Sequence, residues 1–131
     1  MHKLKEVYSR REIGSVTLTT DCWTSNGDSF MAVTSHYLNY DMKRNSNVLG
    51  CFLSTESHAS ENVATELKKV ADEWNIKDKI VLCVADNAAN ITKAIKEILQ
   101  WMHFGCLAHT INLAVKDSLE VHENGKALIK K

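Results

Sequence analysis

Proline is absent from this chain, and so are any Cys-x-x-Cys pair, any excess of one charge and any apolar run of membrane-spanning length. With no proline, no repeat and no low-complexity tract, nothing in the sequence marks a linker, and its 131 residues suffice for one domain with a real core. Sixteen Lys and Arg balance sixteen Asp and Glu, so net charge gives no support for nucleic-acid binding, though a local basic patch is compatible with it. The four cysteines, Cys22, Cys51, Cys83 and Cys106, are far apart in sequence. Without a Cys-x-x-Cys spacing they argue against a small redox or zinc protein. No secretory signal and no membrane span is visible. A reducing intracellular compartment, four free thiols and no membrane partner are therefore expected.

What is present is organised around Val16-Thr17-Leu18-Thr19-Thr20-Asp21-Cys22-Trp23-Thr24-Ser25. Its first half alternates Val16 and Leu18 with threonine, a strand pattern that is expected to end on Asp21. Asn26-Gly27, a tight-turn signal, follows. A second unit, Ile80-Val81-Leu82-Cys83-Val84-Ala85-Asp86, repeats the plan of a strand running into a carboxylate. Ligands collect at the carboxyl ends of central strands in sheets of mixed helix and strand. Two such aspartates brought together offer the oxygen ligands a hard divalent cation requires. The same residue type also serves as a turn residue or helix cap, and Asp86, just before a helical pattern, fits that role as well.

Around these units the chain falls into order. Residues 1–14 form a lead-in helix that stops at Gly14, with Ser9-Arg10-Arg11 as solvated surface, and residues 15–131 form the domain. Strand two covers Phe30 to Asn39, and strand three Asn47 to Leu53 after a polar turn, which makes an antiparallel meander. His36 on strand two reads as a packed or edge histidine. Ser60 is the expected N-cap of a helix whose apolar face is Val63, Leu67, Val70, Ala71 and Trp74. The apolar run Ile80 to Ala85 then reads as a buried parallel strand with Cys83 inside it. A second helix carries Ile91, Ala94, Ile95, Ile98 and Leu99, and Trp101 to Cys106 holds a brief fifth strand. A third helix from Leu107 places Ile111, Ala114, Val115 and Leu119 on one stripe and stops before Asn124-Gly125. The tail from Lys126 to Lys131 opens another apolar face. The order β-β-β-α-β-α-β-α is the ribonuclease H-like α/β arrangement: three antiparallel strands, then alternating helices and parallel strands. In it the first and fourth strands are neighbours, so Asp21 and Asp86 would become adjacent.

Three blocks also carry a family resemblance. Asp21-Cys22-Trp23-Thr24-Ser25 resembles the D-x-W-T-S signature of hAT-type transposases. Ala85-Asp86-Asn87-Ala88-Ala89-Asn90-Ile91 resembles their T-D-N-A-A-N-M block, with Ala85 in place of Thr. Cys106-Leu107-Ala108-His109-Thr110-Ile111-Asn112-Leu113 resembles their C-x-A-H-x-L-N-L block. The likeness spans roughly Ser15 to Glu120 and is nearest the group that carries BED zinc fingers, much of it domesticated. It implies a DD(E) site in which Asp21 and Asp86 are the first two carboxylates. These would hold divalent cations, Mg²⁺ or Mn²⁺, for in-line phosphodiester transfer. The family's third carboxylate has no match in this chain, and neither has the BED finger. The resemblance further implies a nuclear protein that reaches DNA through its full length, and homo-oligomerisation through a C-terminal segment outside these residues.

The remaining block residues have plainer roles. Trp23 is expected to pack in the core, with a DNA-facing stack as the alternative. Asn87 is structural or DNA-proximal, and Asn90 is expected to cap the helix after Asp86. Cys106 and His109 form a structural or DNA-proximal pair, with His109 reaching toward the carboxylates as a second reading. No zinc site is expected, because even with Cys22 and His103 recruited the spacing is not that of zinc ligands. The expectation is thus a transposase-derived ribonuclease H-like domain, non-catalytic by itself and contributing to DNA binding or transcription regulation. The alternative is a metal-dependent transposase core active within a longer chain.

Overall fold

The computed structural model describes residues 2–9, 13–54 and 59–121. Helix α1 (His2–Ser9) is followed by β1 (Val16–Ser25), β2 (Asp28–Leu38) and β3 (Arg44–Ser54). Helix α2 (Ser60–Glu73) leads through a short 3₁₀ turn to β4 (Ile80–Ala85). Helix α3 (Ala89–Lys93) widens into a π-helical turn over Ala94–Ile98, and β5 (His103–Gly105) and α4 (Leu107–Val121) complete the order. The sheet order is β3-β2-β1-β4-β5. β1 is antiparallel to β2 and β2 to β3, whereas β1–β4 and β4–β5 are parallel. This is the mixed α/β, ribonuclease H-like sheet expected from the sequence, with β1 and β4 as neighbours. No described helix is long and apolar enough to cross a membrane.

Strand β1 does not end on Asp21. It continues to Ser25 because β2 pairs with it all the way to Ser25↔Asp28. Asn26 (φ 53°) and Gly27 (φ 89°) close the hairpin in two residues, both with the positive φ such a turn needs. Hydrogen bonding along the hairpin thus carries the polar half of the stretch as strand, against its weak strand propensity.

Only one face of the sheet is buried. Val16, Leu18, Met31, Val33, Leu49, Cys83 and Ala85 pack beneath the apolar stripes of α2 and α3, including Val63, Leu67, Val70, Ile91 and Ile95. Leu67 has no exposed surface, and burying a leucine of this kind contributes about 2–3 kcal/mol. Trp74 is core as expected, and its indole Nε1–H donates to the Leu49 carbonyl at 3.1 Å. The residue before α2 that holds the cap position is Ala59, not Ser60, which is the first helical residue and is buried. On the second face of the sheet, Thr17, Thr19, Ala32, Thr34, Val84 and Phe104 are half-buried or exposed. His36 belongs to that face and is held between Thr19 Oγ1 at 3.1 Å and Ser46 Oγ at 2.8 Å. Helix α4 forms from Leu107, but no residue of it is buried, so the stripe of Ile111, Ala114 and Val115 has no cover among the described residues. The expected stop at Asn124-Gly125, the tail beyond it and the Arg10-Arg11 surface lie outside the described residues.

The lead-in helix is joined to the core chiefly through Tyr8, with Val7 packed against the core and Lys5 reaching Glu73 and the Trp74 ring. Tyr8 is fully buried and lies edge-on to Tyr37 and Trp74, with ring centroids 5.5 and 5.9 Å away. Its hydroxyl is hydrogen-bonded to Ser35 Oγ and accepts from Asn47 Nδ2 at 3.1 Å. Lys79 Nζ donates to the Tyr8 carbonyl at 2.6 Å. Replacing Tyr8 with Phe keeps the ring but takes the acceptor from Asn47 Nδ2 and leaves buried Ser35 Oγ its bond to the Asn47 carbonyl alone, and is expected to cost about 1–3 kcal/mol. Replacing it with Ala should cost about 3–5 kcal/mol, by analogy with other buried aromatics. Urea unfolding midpoints measure both; an unchanged midpoint for Tyr8→Ala would show that α1 adds nothing to the core.

Candidate functional site

The site is built from β1, β4 and the loop after β4. Parallel pairing of β1 with β4 runs Thr17↔Leu82, Leu18↔Cys83 and Thr19↔Val84. Continued two steps past its last pair, the same register sets Asp21 level with Asp86, which lies just beyond the end of β4. That alignment depends on an irregularity: Val16 pairs with Ile80, yet Thr17 pairs with Leu82, so Val81 is an extra residue in β4. Val81 is accordingly exposed between Ile80 and Cys83. Without it the register would set Ala85, not Asp86, level with Asp21.

Alternation along β1 places Val16, Leu18 and Thr20 on the buried face and Asp21 on the other. Asp21 is exposed and Asp86 half-buried. One Asp86 oxygen, Oδ1, accepts from the Ala88 backbone N–H at 3.0 Å, which is the turn role the sequence also allowed, just ahead of α3. The Asp86 carbonyl lies 3.3 Å from His103 Nε2. None of the described ion pairs takes in Asp21 or Asp86.

Between the two carboxylates along the chain lies Cys22. Burial first, then the Asp86 and Asp21 charges, push its thiol up to about 11, so it is protonated at neutral pH and is no thiolate ligand. The thiol therefore registers both carboxylates. A cleft of about 200 Å³ opens beside it, lined by Cys22, Trp23, Thr24, Asp86, Asn90 and Ile91 among others.

Two expectations for individual residues change. Trp23 is not core. It is 40% exposed, shares the Asp21 face, and stacks on Phe30 with centroids 5.5 Å apart and planes at 16°. Phe30, directly across the hairpin, covers one side of the ring, and the rest is open to solvent. Asn90 is not the helix cap. Ala88 holds that position, without a side-chain cap hydrogen bond, and Asn90 is already in the first turn. Asn87 is exposed, with its carboxamide close over Gly105. Cys106 is half-buried, and its backbone N–H donates to the Ala85 carbonyl at 2.6 Å. His109 is exposed in the first turn of α4, with no described hydrogen bond to either carboxylate. Among the described residues no group of three or more His, Cys, Asp or Glu is placed to hold a metal ion.

Sequence reasoning missed Phe30, Gly105 and the His103 contact. Phe30 was within reach: a two-residue turn at Asn26-Gly27 fixes Trp23 opposite Phe30 by counting outward. A glycine inside a strand pattern was the available signal for Gly105. The link from His103 to Asp86 has no local signal, because β5 and β4 meet only in the folded sheet.

The thiol gives a direct check on this geometry. Asp86→Asn removes a negative charge next to Cys22 and is expected to lower its pKa, while Cys83, raised to about 12 by burial alone, should not move. Alkylation rates followed by mass spectrometry between pH 8 and about pH 10 resolve the two thiols, since rate tracks the thiolate fraction. An unmoved Cys22 would place Asp86 away from β1.

Comparison with known proteins bears on the same residues. Residues 19–112 match the family model described as the ZBED1 RNase-like domain. A Talaromyces stipitatus protein named "Putative transcriptional regulator tpeD" is 32% identical over 117 residues, covering 79% of this chain and 14% of its own length. A Zea mays protein named "Putative AC transposase" is 28% identical over 134 residues, covering 91% of this chain and 16% of its own length. The chain thus spans about a sixth or less of these relatives. The HTLV-2 integrase catalytic core domain overlaps 85% of this chain and 73% of its own, at 12% identity and a TM-score of 0.38. With the family model covering the greater part of the chain and both carboxylate blocks, the chain belongs to the ZBED1 RNase-like domain family and is a hAT-type, transposase-derived domain of ribonuclease H-like fold.

Proposed function

We propose that this domain serves a nuclear hAT-type protein in DNA binding or transcription regulation, and that it keeps a two-carboxylate cation site without strand-transfer activity of its own. The observation that carries the reading is the alignment of Asp21 with Asp86 on neighbouring parallel strands, with no third acidic group beside them among the described residues. The donor set suits a hard cation: two carboxylates, no described basic partner, and a nearby thiol that stays protonated. Magnesium prefers six oxygens and keeps several waters, so two carboxylates would hold it loosely.

When bound, the cation would polarise a phosphate oxygen. What the chain itself supplies is position. Asp21, inside β1, and Asp86, just past the end of β4, would hold the ion, and the Ala88 N–H fixes one Asp86 oxygen at 3.0 Å. The Trp23–Phe30 pair beside Asp21 offers an exposed aromatic surface on which a base can stack. In-line transfer needs the metals held to close tolerance, and a misplacement of about 1 Å can cost roughly 100-fold. Two carboxylates fall short of that fixing. The regulatory reading draws on the name of the Talaromyces relative. The second reading, an active transposase core within a longer chain, draws on the Zea mays relative and on the retention of both aspartates.

Supercoiled-plasmid nicking with Mn²⁺ separates the readings. The isolated chain, Asp21→Ala and Asp86→Ala should all leave the plasmid intact, and Mn²⁺ should broaden NMR signals around Asp21 and Asp86 in the parent alone. Nicking by the parent that both substitutions abolish would establish the enzyme reading. Broadening that survives both substitutions would remove the cation site.

A further inference from the structure

Gly105 closes β5, and the space above its Cα is occupied. A Cβ built there would lie 2.4 Å from Asn87 Oδ1, 2.8 Å from Nδ2 and 3.0 Å from Cγ. The first two distances are shorter than real contacts and the third is tight, so the carboxamide of Asn87 rests where any other residue would carry its side chain. Backbone conformation does not demand this glycine, since Gly27 is the glycine with positive φ among the described residues. What it permits is the close approach of Asn87.

Asn87 directly follows Asp86, and β5 grips the same segment at other points. Cys83 N–H donates to the Met102 carbonyl at 2.8 Å, and Cys106 N–H to the Ala85 carbonyl at 2.6 Å. His103 Nε2 lies 3.3 Å from the Asp86 carbonyl. A three-residue edge strand adds little sheet area, yet it fixes the chain up to Asp86, at Cys83, at Ala85 and at the Asp86 carbonyl, and leaves the residue after it to the contact of Asn87 with Gly105. We propose that Gly105 is a positioning residue of the cation site, acting through the Asn87 carboxamide seated on it to hold Asp86 level with Asp21.

The inference rests on the cation reading of Asp21 and Asp86. Asn87 is the stop that keeps the loop from swinging outward, because Asp86 follows the last β4 residue with no ladder bond of its own beyond Ala85↔Gly105. Adding a methyl group at residue 105 displaces the carboxamide; truncating Asn87 removes it. Both changes abolish one contact. Their effects on cation affinity should therefore coincide and not multiply. Loss of an outer-shell partner weakens metal binding by roughly 10- to 100-fold, and the lower end suits an exposed contact.

The experiment measures free Mn²⁺ by electron paramagnetic resonance against the parent chain, Asp86→Asn, Gly105→Ala, Asn87→Ala and the Gly105→Ala/Asn87→Ala double variant. Each of the two single changes at the seat should weaken Mn²⁺ roughly tenfold, and the double variant should be no weaker than the weaker single. In the metal-free protein the Ala88 amide, bonded to Asp86 Oδ1, should exchange faster in both singles while the urea midpoint holds. Should Gly105→Ala fail to fold, Asn87→Ala decides alone, since it only trims an exposed side chain. Unchanged affinity in Asn87→Ala, an unchanged Gly105→Ala that folds, or losses that multiply in the double variant would overturn the assignment of Gly105. Equal binding by the parent and Asp86→Asn would instead overturn the cation reading itself, and this inference with it.

Discussion

The parallel pairing of β1 with β4 is the constraint on which the rest of this domain depends. β1 is hydrogen-bonded on both sides, to β2 in a tight hairpin and to β4 across a long connection. The hairpin forms from neighbouring residues and needs only the Asn26-Gly27 turn. The parallel pair needs α2 to cross over and cover the sheet, and Leu67, Val70 and Ala71 bury their side chains in doing so. One added residue, Val81, then decides which side chain of the second strand lies level with Asp21. A slip of one residue exchanges the two faces of a strand, so this small irregularity separates a carboxylate pair from an aspartate facing an alanine.

Asp86 carries two roles in one side chain. Its Oδ1 accepts from the Ala88 N–H in the turn ahead of α3, and that bond fixes the carboxylate's orientation. The backbone leading into it is tied to β5, whose short length and exposed edge contribute little to the core. Structure built for a helix start and a strand end thus also fixes the group that a cation would use. Cys22 between the two aspartates stays a protonated thiol for the same electrostatic reason: negative charge nearby and partial burial both disfavour the thiolate. It contributes packing to this corner.

The domain is asymmetric across its sheet. Helices α2 and α3 and the Tyr8–Trp74 corner cover one face, and the apolar side chains there are buried. The other face holds Asp21, the Trp23–Phe30 stack and Phe104, and the apolar residues of α4 are exposed as well. The aromatic pair there is held by cross-strand stacking alone, an interaction of about 0.5–1.5 kcal/mol beyond area burial.

The sequence by itself determined the order of elements, the hairpin turn, the core stripes of α2 and β4 and the two aspartates. Each of these is encoded locally, by alternation, by helical spacing or by turn residues that need positive φ. Trp74 and Cys83 could be placed in the core for the same reason. Only the tertiary structure decided that β1 runs on through Asp21, because pairing with β2 overrides the polar composition of its second half. It also decided that Trp23 is exposed, since burial depends on whether another layer covers that face. The cap position of α3 went to Ala88 and not to Asn90, because the turn that the Asp86 carboxylate makes with the Ala88 N–H brings the chain into the helix before Asn90. Tyr8 joined the core through Ser35 and Asn47, residues distant in sequence that no local pattern links to it. The Val81 register and the seat of Asn87 on Gly105 are likewise contacts between strands, and such contacts exist only once the sheet has closed.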